Sequence, residues 1–197
     1  MTTIDSLLKV ALNTAVDYNF IKSVVGDSYK LGMLDYENIT ARTTLAHIFE
    51  KKDCVAILFH IINRRTGRVT PIGHWTLLIK PSAANKKTYQ FFDSLGLGLR
   101  KILLRTHEAP YLLNLLKKTR WADSSVALQT QGKDFRECGA FVGFRGLMGD
   151  MTNKQFVALF KGKKADKTVV MLTLLHYLKH EKIGYNKNDS KSKSNRH

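Results

Sequence analysis

The sequence predicts an α+β fold, and three observations predict it. Val55-Ala-Ile-Leu-Phe-His-Ile-Ile62 is an unbroken apolar run, rich in β-branched residues and of strand length. Two further strand-like segments follow it at short intervals, near Gly73 to Lys80 and near Thr88 to Asp93. Helical periodicities come in groups before, between and after the strands, so the order is helix, strands, helices, strand, helices.

The elements follow in chain order. Ile4, Leu7, Leu8, Ala11, Leu12 and Ala15 fall on one face of a helix, with Thr3 or Asp5 available as its cap. Residues 18–53 are mixed, and their spacing assigns no element. Asn63-Arg-Arg-Thr-Gly-Arg68 has the composition of a basic turn, and Pro81-Ser-Ala-Ala-Asn-Lys-Lys87 that of a hairpin loop. Leu95-Gly-Leu-Gly98 breaks the strand pattern. Leu99, Ile102 and Leu103 begin a helix, Pro110 interrupts, and Tyr111, Leu112, Leu115 and Leu116 resume helical spacing. Ser125 to Thr130 is a short strand candidate. Cys138 to Met148 is an apolar helix whose Gly139, Gly143 and Gly146 imply close packing on a neighbour. Thr152-Asn-Lys-Gln155 is a capping box for a helix to about Phe160. Met171, Leu174, Leu175 and Leu178 mark a last amphipathic helix. From Asn186 onward there is no apolar residue. Hence the expected organisation is one domain over residues 1–185 and a disordered basic tail over 186–197.

Composition narrows the function. The chain has 197 residues, 32 Lys and Arg against 16 Asp and Glu, and a net charge of +16. Such a field attracts polyanions and does not suit an enzyme of small neutral substrates. Arg64, Arg65, Arg68, Lys117, Lys118, Lys161, Lys163 and Lys164 are candidate contacts. Cys54 and Cys138 are too few for a disulfide scaffold or a cysteine-only zinc site. The N-terminus carries no signal-peptide pattern and no apolar run reaches membrane length, so an intracellular protein without membrane contact is expected. His176 and His180 stand four residues apart, a metal-compatible spacing, but without the neighbouring Glu a zincin needs. No metal site is expected.

A hairpin centred between Ala83 and Ala84 would set His74 directly opposite Asp93, with Cβ atoms about 4.5–5.5 Å apart. At that distance a carboxylate orients and charges an imidazole. Cys138 opens an apolar helix, where a thiol meets the positive end of the helix dipole. A thiol, a base and an acid are the set that nucleophilic catalysis requires. Gln131, seven residues before Cys138, is a candidate oxyanion donor, and composition alone leaves Gln129 equally eligible. Cys54, opening the most buried strand, suits a structural role.

Gly73-His74-Trp75, Tyr89-Gln-Phe-Phe-Asp93-Ser94, Gln131-Gly132 and Cys138-Gly139, in that order, resemble the adenovirus maturation protease (adenain) family and its relatives, the SUMO-specific proteases. The likeness covers roughly residues 64–145, with a weaker echo at Leu174 to His180. The spacing from Gln131 to Cys138 is similar to the adenain form and selects Gln131 over Gln129. Asp93 is similar to the acid of the SUMO proteases, where adenain has Glu. The resemblance implies a papain-like fold in permuted order, with a small central mixed sheet flanked by helices. It also implies a cysteine endopeptidase in which Cys138 attacks, His74 is base and acid, Asp93 orients it and Gln131 helps hold the oxyanion. Trp75 would pack beside the site, and Gly139 would allow close backbone approach. The implied substrates are viral capsid precursors, cut by a monomer in the infected cell and carried into the virion, with DNA or another polyanion as activator. No cysteine lies between Asp93 and Gln131, so a disulfide-linked activating peptide, as adenain uses, is not expected. The competing readings are a protease for ubiquitin-like modifiers, an acetyltransferase of the YopJ type and an inactive nucleic-acid-binding scaffold.

Overall fold

The computed structural model describes residues 18–26, 29–62, 66, 69–129 and 137–160, together with helical residues 165, 168, 169, 172 and 176. The expected first helix, Gln131, His180 and the tail lie outside them.

Five strands form one mixed sheet in the order β1-β2-β3-β4-β5. They are β1 (Leu31–Asp35), β2 (Cys54–Ile62), β3 (Val69–Ile79), β4 (Tyr89–Phe92) and β5 (Trp121–Ala122). β1 runs parallel to β2 and β5 parallel to β4, while β3 is antiparallel to both neighbours. The alternation of side chains along β2 sorts the core into two layers. Cys54 and Ala56 join Leu77, Ile79 and Phe92 on one face, and Val55, Ile57 and Phe59 join Leu78 and Phe91 on the other. The first face is covered by α1 (Tyr18–Val25) and, later in the chain, by α5 (Cys138–Leu147) and α6 (Asn153–Ala158). The second is covered by α2 (Leu45–Phe49), α3 (Leu99–Thr106) and α4 (Tyr111–Leu116). β2 is thus buried on both sides, as its unbroken apolar run requires. No described helix is long and apolar enough to cross a membrane.

The unassigned stretch 18–53 contains α1, β1, a 3₁₀ turn (Tyr36–Asn38) and α2. Its elements are short, and only Leu31 and Gly32 of β1 are buried, so no period repeats long enough to show. Ser125 to Gln129 forms no strand; β5 comes earlier, at Trp121–Ala122. Ser124 to Gln129 instead forms a packed loop, whose Leu128 and Gln129 amides both donate to the Ser94 carbonyl at 2.9 Å.

Gly143 and Gly146 of α5 act as anticipated. A Cβ on Gly146 would come within 2.8 Å of Val25 Cγ2, and one on Gly143 within 3.2 Å of Val24 Cβ. Gly146→Val should therefore destabilise the protein by about 1–3 kcal/mol. An unchanged denaturation midpoint would refute this packing of α5 on α1. Arg145, fully buried on the same helix, donates to the Met148 and Met151 carbonyls and to Asn153 Oδ1. It thereby ties the end of α5 to the start of α6. Burial lowers its pKa to about 10. Thr152 caps α6 in the expected capping box.

Candidate active site

The site forms where β3 outlasts β4. The register pairs Leu77 with Phe92, Leu78 with Phe91 and Ile79 with Gln90. This sets the hairpin's symmetry between Ala84 and Asn85, one residue beyond the expected centre. Continued, it would oppose Asp93 to Thr76 rather than to His74. The cause lies in the loop. Buried Asn85 accepts from Ser82 N at 2.8 Å and donates to Lys80 O at 3.0 Å, and Lys86 and Lys87 take positive φ of 62° and 53°. The slip moves the partner by two residues and so preserves the face. His74 and Asp93 meet diagonally, and the imidazole spans the gap: Nε2 lies 2.7 Å from Asp93 Oδ1.

Asp93 leaves the sheet at the end of β4 and is fully buried. Its carboxylate is enclosed by the segment that follows. The amide of Leu95 donates to Oδ1 at 2.9 Å, and those of Leu97 and Gly98 donate to Oδ2 at 2.7 and 3.2 Å. Gly96 and Gly98 have φ of 63° and 75°, which is how so short a loop turns three amides toward one side chain. Burial would raise the carboxyl pKa, but the bond from His74 and these amides outweigh it and lower it. Leu95-Gly-Leu-Gly98, read in the sequence only as a break, is the cradle of the acid. Its two glycines were the available signal.

Cys138 is the first residue of α5 and is buried. The main-chain N–H of Trp75 donates to its Sγ at 3.4 Å, from the stretch of β3 beyond its pairing with β4. The Trp75 ring packs against the core on the α1–α5 side, a packing role as expected. The other ring nitrogen of His74, Nδ1, is buried without a hydrogen bond of good geometry. Even so, Cys138 is close enough to raise the His74 pKa. Burial lowers that pKa; the hydrogen bond to Asp93 and the hydrogen-bonding and Coulombic pull of Cys138 overcome it and set it at about 9. Sulfur, imidazole and carboxylate thus converge, with His74 between the other two.

Cys54 is different. It is buried in the sheet, and desolvation raises its pKa to about 12. Gln129 is buried and accepts from Ser94 Oγ at 2.8 Å, which gives it a structural partner. His176 Nε2 lies 2.9 Å from Ser23 Oγ, and its ring meets Phe20 edge-on, so it serves helix packing. Asp35, Glu37 and His60 bring potential ligand atoms within 4.8 Å of one another, a grouping the sequence did not suggest. His60 Nε2 lies 3.8 Å from Asp35 Oδ1, an ion pair when the ring is protonated. Beside His74 lies a cavity of about 140 Å³ lined by Ile61, Leu95, Leu97, Ile102, Arg105 and Thr106.

No protein-family model matches the chain, and comparisons with curated proteins and with solved structures return no match.

Proposed function

We propose that the chain is a cysteine endopeptidase of the adenain type, with a papain-like arrangement in permuted order, that processes viral capsid precursors. One observation carries the reading: a buried imidazole placed between a backbone-held carboxylate and a thiol at a helix N-terminus. In this reading the thiol proton passes to His74, giving a thiolate beside an imidazolium. The carboxylate of Asp93 and the Trp75 amide favour that ion pair. The thiolate attacks the scissile carbonyl, and His74 returns its proton to the leaving amine as the C–N bond breaks. Water, deprotonated by His74, then hydrolyses the thioester and frees the thiol. Gln131 and the Cys138 amide are the proposed oxyanion donors.

The test is incubation with capsid precursors, with SUMO and ubiquitin conjugates and with acetyl-CoA plus protein acceptors, read by mass spectrometry. New termini on the precursors, absent with Cys138→Ala, are expected. Cleavage of conjugates alone would make the protein a modifier protease, and acetyl adducts without new termini would make it a transferase. The charge of +16 supports a polyanion activator as part of the proposal. Among the candidate contacts, Lys117 and Lys118 are described, and both are exposed. Cleavage should then slow with added salt and recover with DNA.

A further inference from the structure

The Asp93 carboxylate is only as well placed as the loop that holds it. Besides the bonds of Leu128 and Gln129 to Ser94, that loop is anchored by the two residues immediately following β5. At its start, Ser124 Oγ donates to the Asp93 carbonyl at 3.1 Å. At its end, the Asp123 carboxylate accepts the amide of Leu99, the first residue of α3, at 3.1 and 3.3 Å. Gly98 passes so close that a Cβ there would stand 2.8 Å from Asp123 Oδ2. Asp123 is itself locked by the Ser124 amide, which donates to Oδ1 at 2.9 Å. Ser124 is buried, and β5 is registered to β4 by pairs Tyr89–Trp121 and Gln90–Ala122. The strap is therefore indexed to the same strand that delivers Asp93.

We propose that Asp123 and Ser124 are positioning residues for the His74–Asp93 pair, and that protonation of Asp123 loosens the site. The role of Asp93 as orienter of a catalytic His74 rests on the peptidase reading; the mechanical coupling does not. Burial raises the Asp123 pKa to about 6, the amides of Leu99 and Ser124 oppose the rise, and the neighbouring Asp93 charge adds to it. Lys86 from the β3–β4 loop and Lys154 from α6 line, with Asp123, a cavity of about 390 Å³. No salt bridge to Asp123 forms among the described residues. Ionised, Asp123 accepts the Leu99 amide strongly; protonated, it is a weaker acceptor, and the cradle of Asp93 loses its far anchor.

The experiment follows His74 directly by NMR titration of its ring and, in parallel, the alkylation of Cys138 by iodoacetamide across pH. Ser124→Ala and Asp123→Ala, with unchanged circular dichroism, should each lower the His74 pKa by about one unit or more. They should also slow Cys138 alkylation at pH about 7 roughly tenfold. Asp123→Asn keeps an acceptor oxygen without a titrating proton. It should restore most of the rate at neutral pH and remove the inflection near the Asp123 pKa of about 6. A His74 titration unmoved in Ser124→Ala, the mildest change, overturns the proposal, as does an inflection that survives Asp123→Asn. Should wild-type Cys138 react no faster than Cys54, the peptidase reading falls, and the His74 titration still decides the positioning role.

Discussion

Iodoacetamide at neutral pH should modify Cys138 at least about 100-fold faster than Cys54, and His74→Gln should remove most of that advantage. The two thiols are both buried, so access alone does not separate them. Their electrostatics do. Cys54 sits in an apolar strand where desolvation holds its pKa near 12, leaving almost no thiolate. Cys138 has the helix N-terminus, the Trp75 amide and the imidazolium of His74 around it. In the proposed reaction each of these would stabilise the attacking sulfur. A positioned base is worth about 10²–10⁴ in rate, so loss of the imidazole should cost about two orders of magnitude. Gln is the better replacement because it fills the site without leaving the Asp93 carboxylate facing a void. Peptide mapping by mass spectrometry gives both rates in one experiment. Equal, slow labelling of the two cysteines in a folded protein would leave the arrangement without nucleophilic chemistry.

Much of this was legible in the sequence, for reasons that differ by residue. His74, Asp93 and Cys138 were readable because each sits at a boundary between patterns: near one end of a hairpin, at the end of a strand and at the start of an apolar helix. β2 was readable because burial on both faces leaves no polar alternation to confuse it with a surface strand. The hairpin register was misjudged because Asn85 shifts the loop's symmetry, and hydrogen bonding by one buried side chain leaves no periodic trace. The expected pairing was wrong, but the side-chain contact survives, since a two-residue slip conserves the face. β1 and β5 escaped notice because both are short. They take their conformation from the strands they pair with, not from their own composition. Asp123 and Ser124 were invisible because their partners, the Leu99 amide and the Asp93 carbonyl, are main-chain groups that any sequence supplies.

Stability should depend on pH through the same pair. The folded pKa of His74 is raised from 6.5 to about 9, so the folded state binds this proton more tightly than the unfolded chain. The resulting stabilisation is complete below the unfolded value near 6.5 and is lost as pH rises through about 9. The corresponding difference is roughly 3 kcal/mol, at 1.36 kcal/mol per unit. Asp93 acts in the opposite sense. Its pKa is lowered, so its contribution is present above the usual carboxylate value of 3.8 and fades as pH falls. The two together place the pair's greatest contribution between about pH 4 and 6.5. Asp93→Asn should cost about 3–5 kcal/mol within that window, because His74 stays buried without its charged partner. It should also flatten the decline between pH 6.5 and 9, since a neutral amide does not hold the imidazole proton. Tyr29 and Tyr36, with pKa values near 12, do not titrate in this range. The difference between wild type and Asp93→Asn in urea denaturation at a series of pH values isolates the pair. If that difference does not change between pH 6.5 and 9, His74 is not held as an imidazolium, and the proposed mechanism loses the counter-charge it needs. The same measurement on Cys138→Ala separates the two partners: the slope should shrink without vanishing, because Asp93 remains.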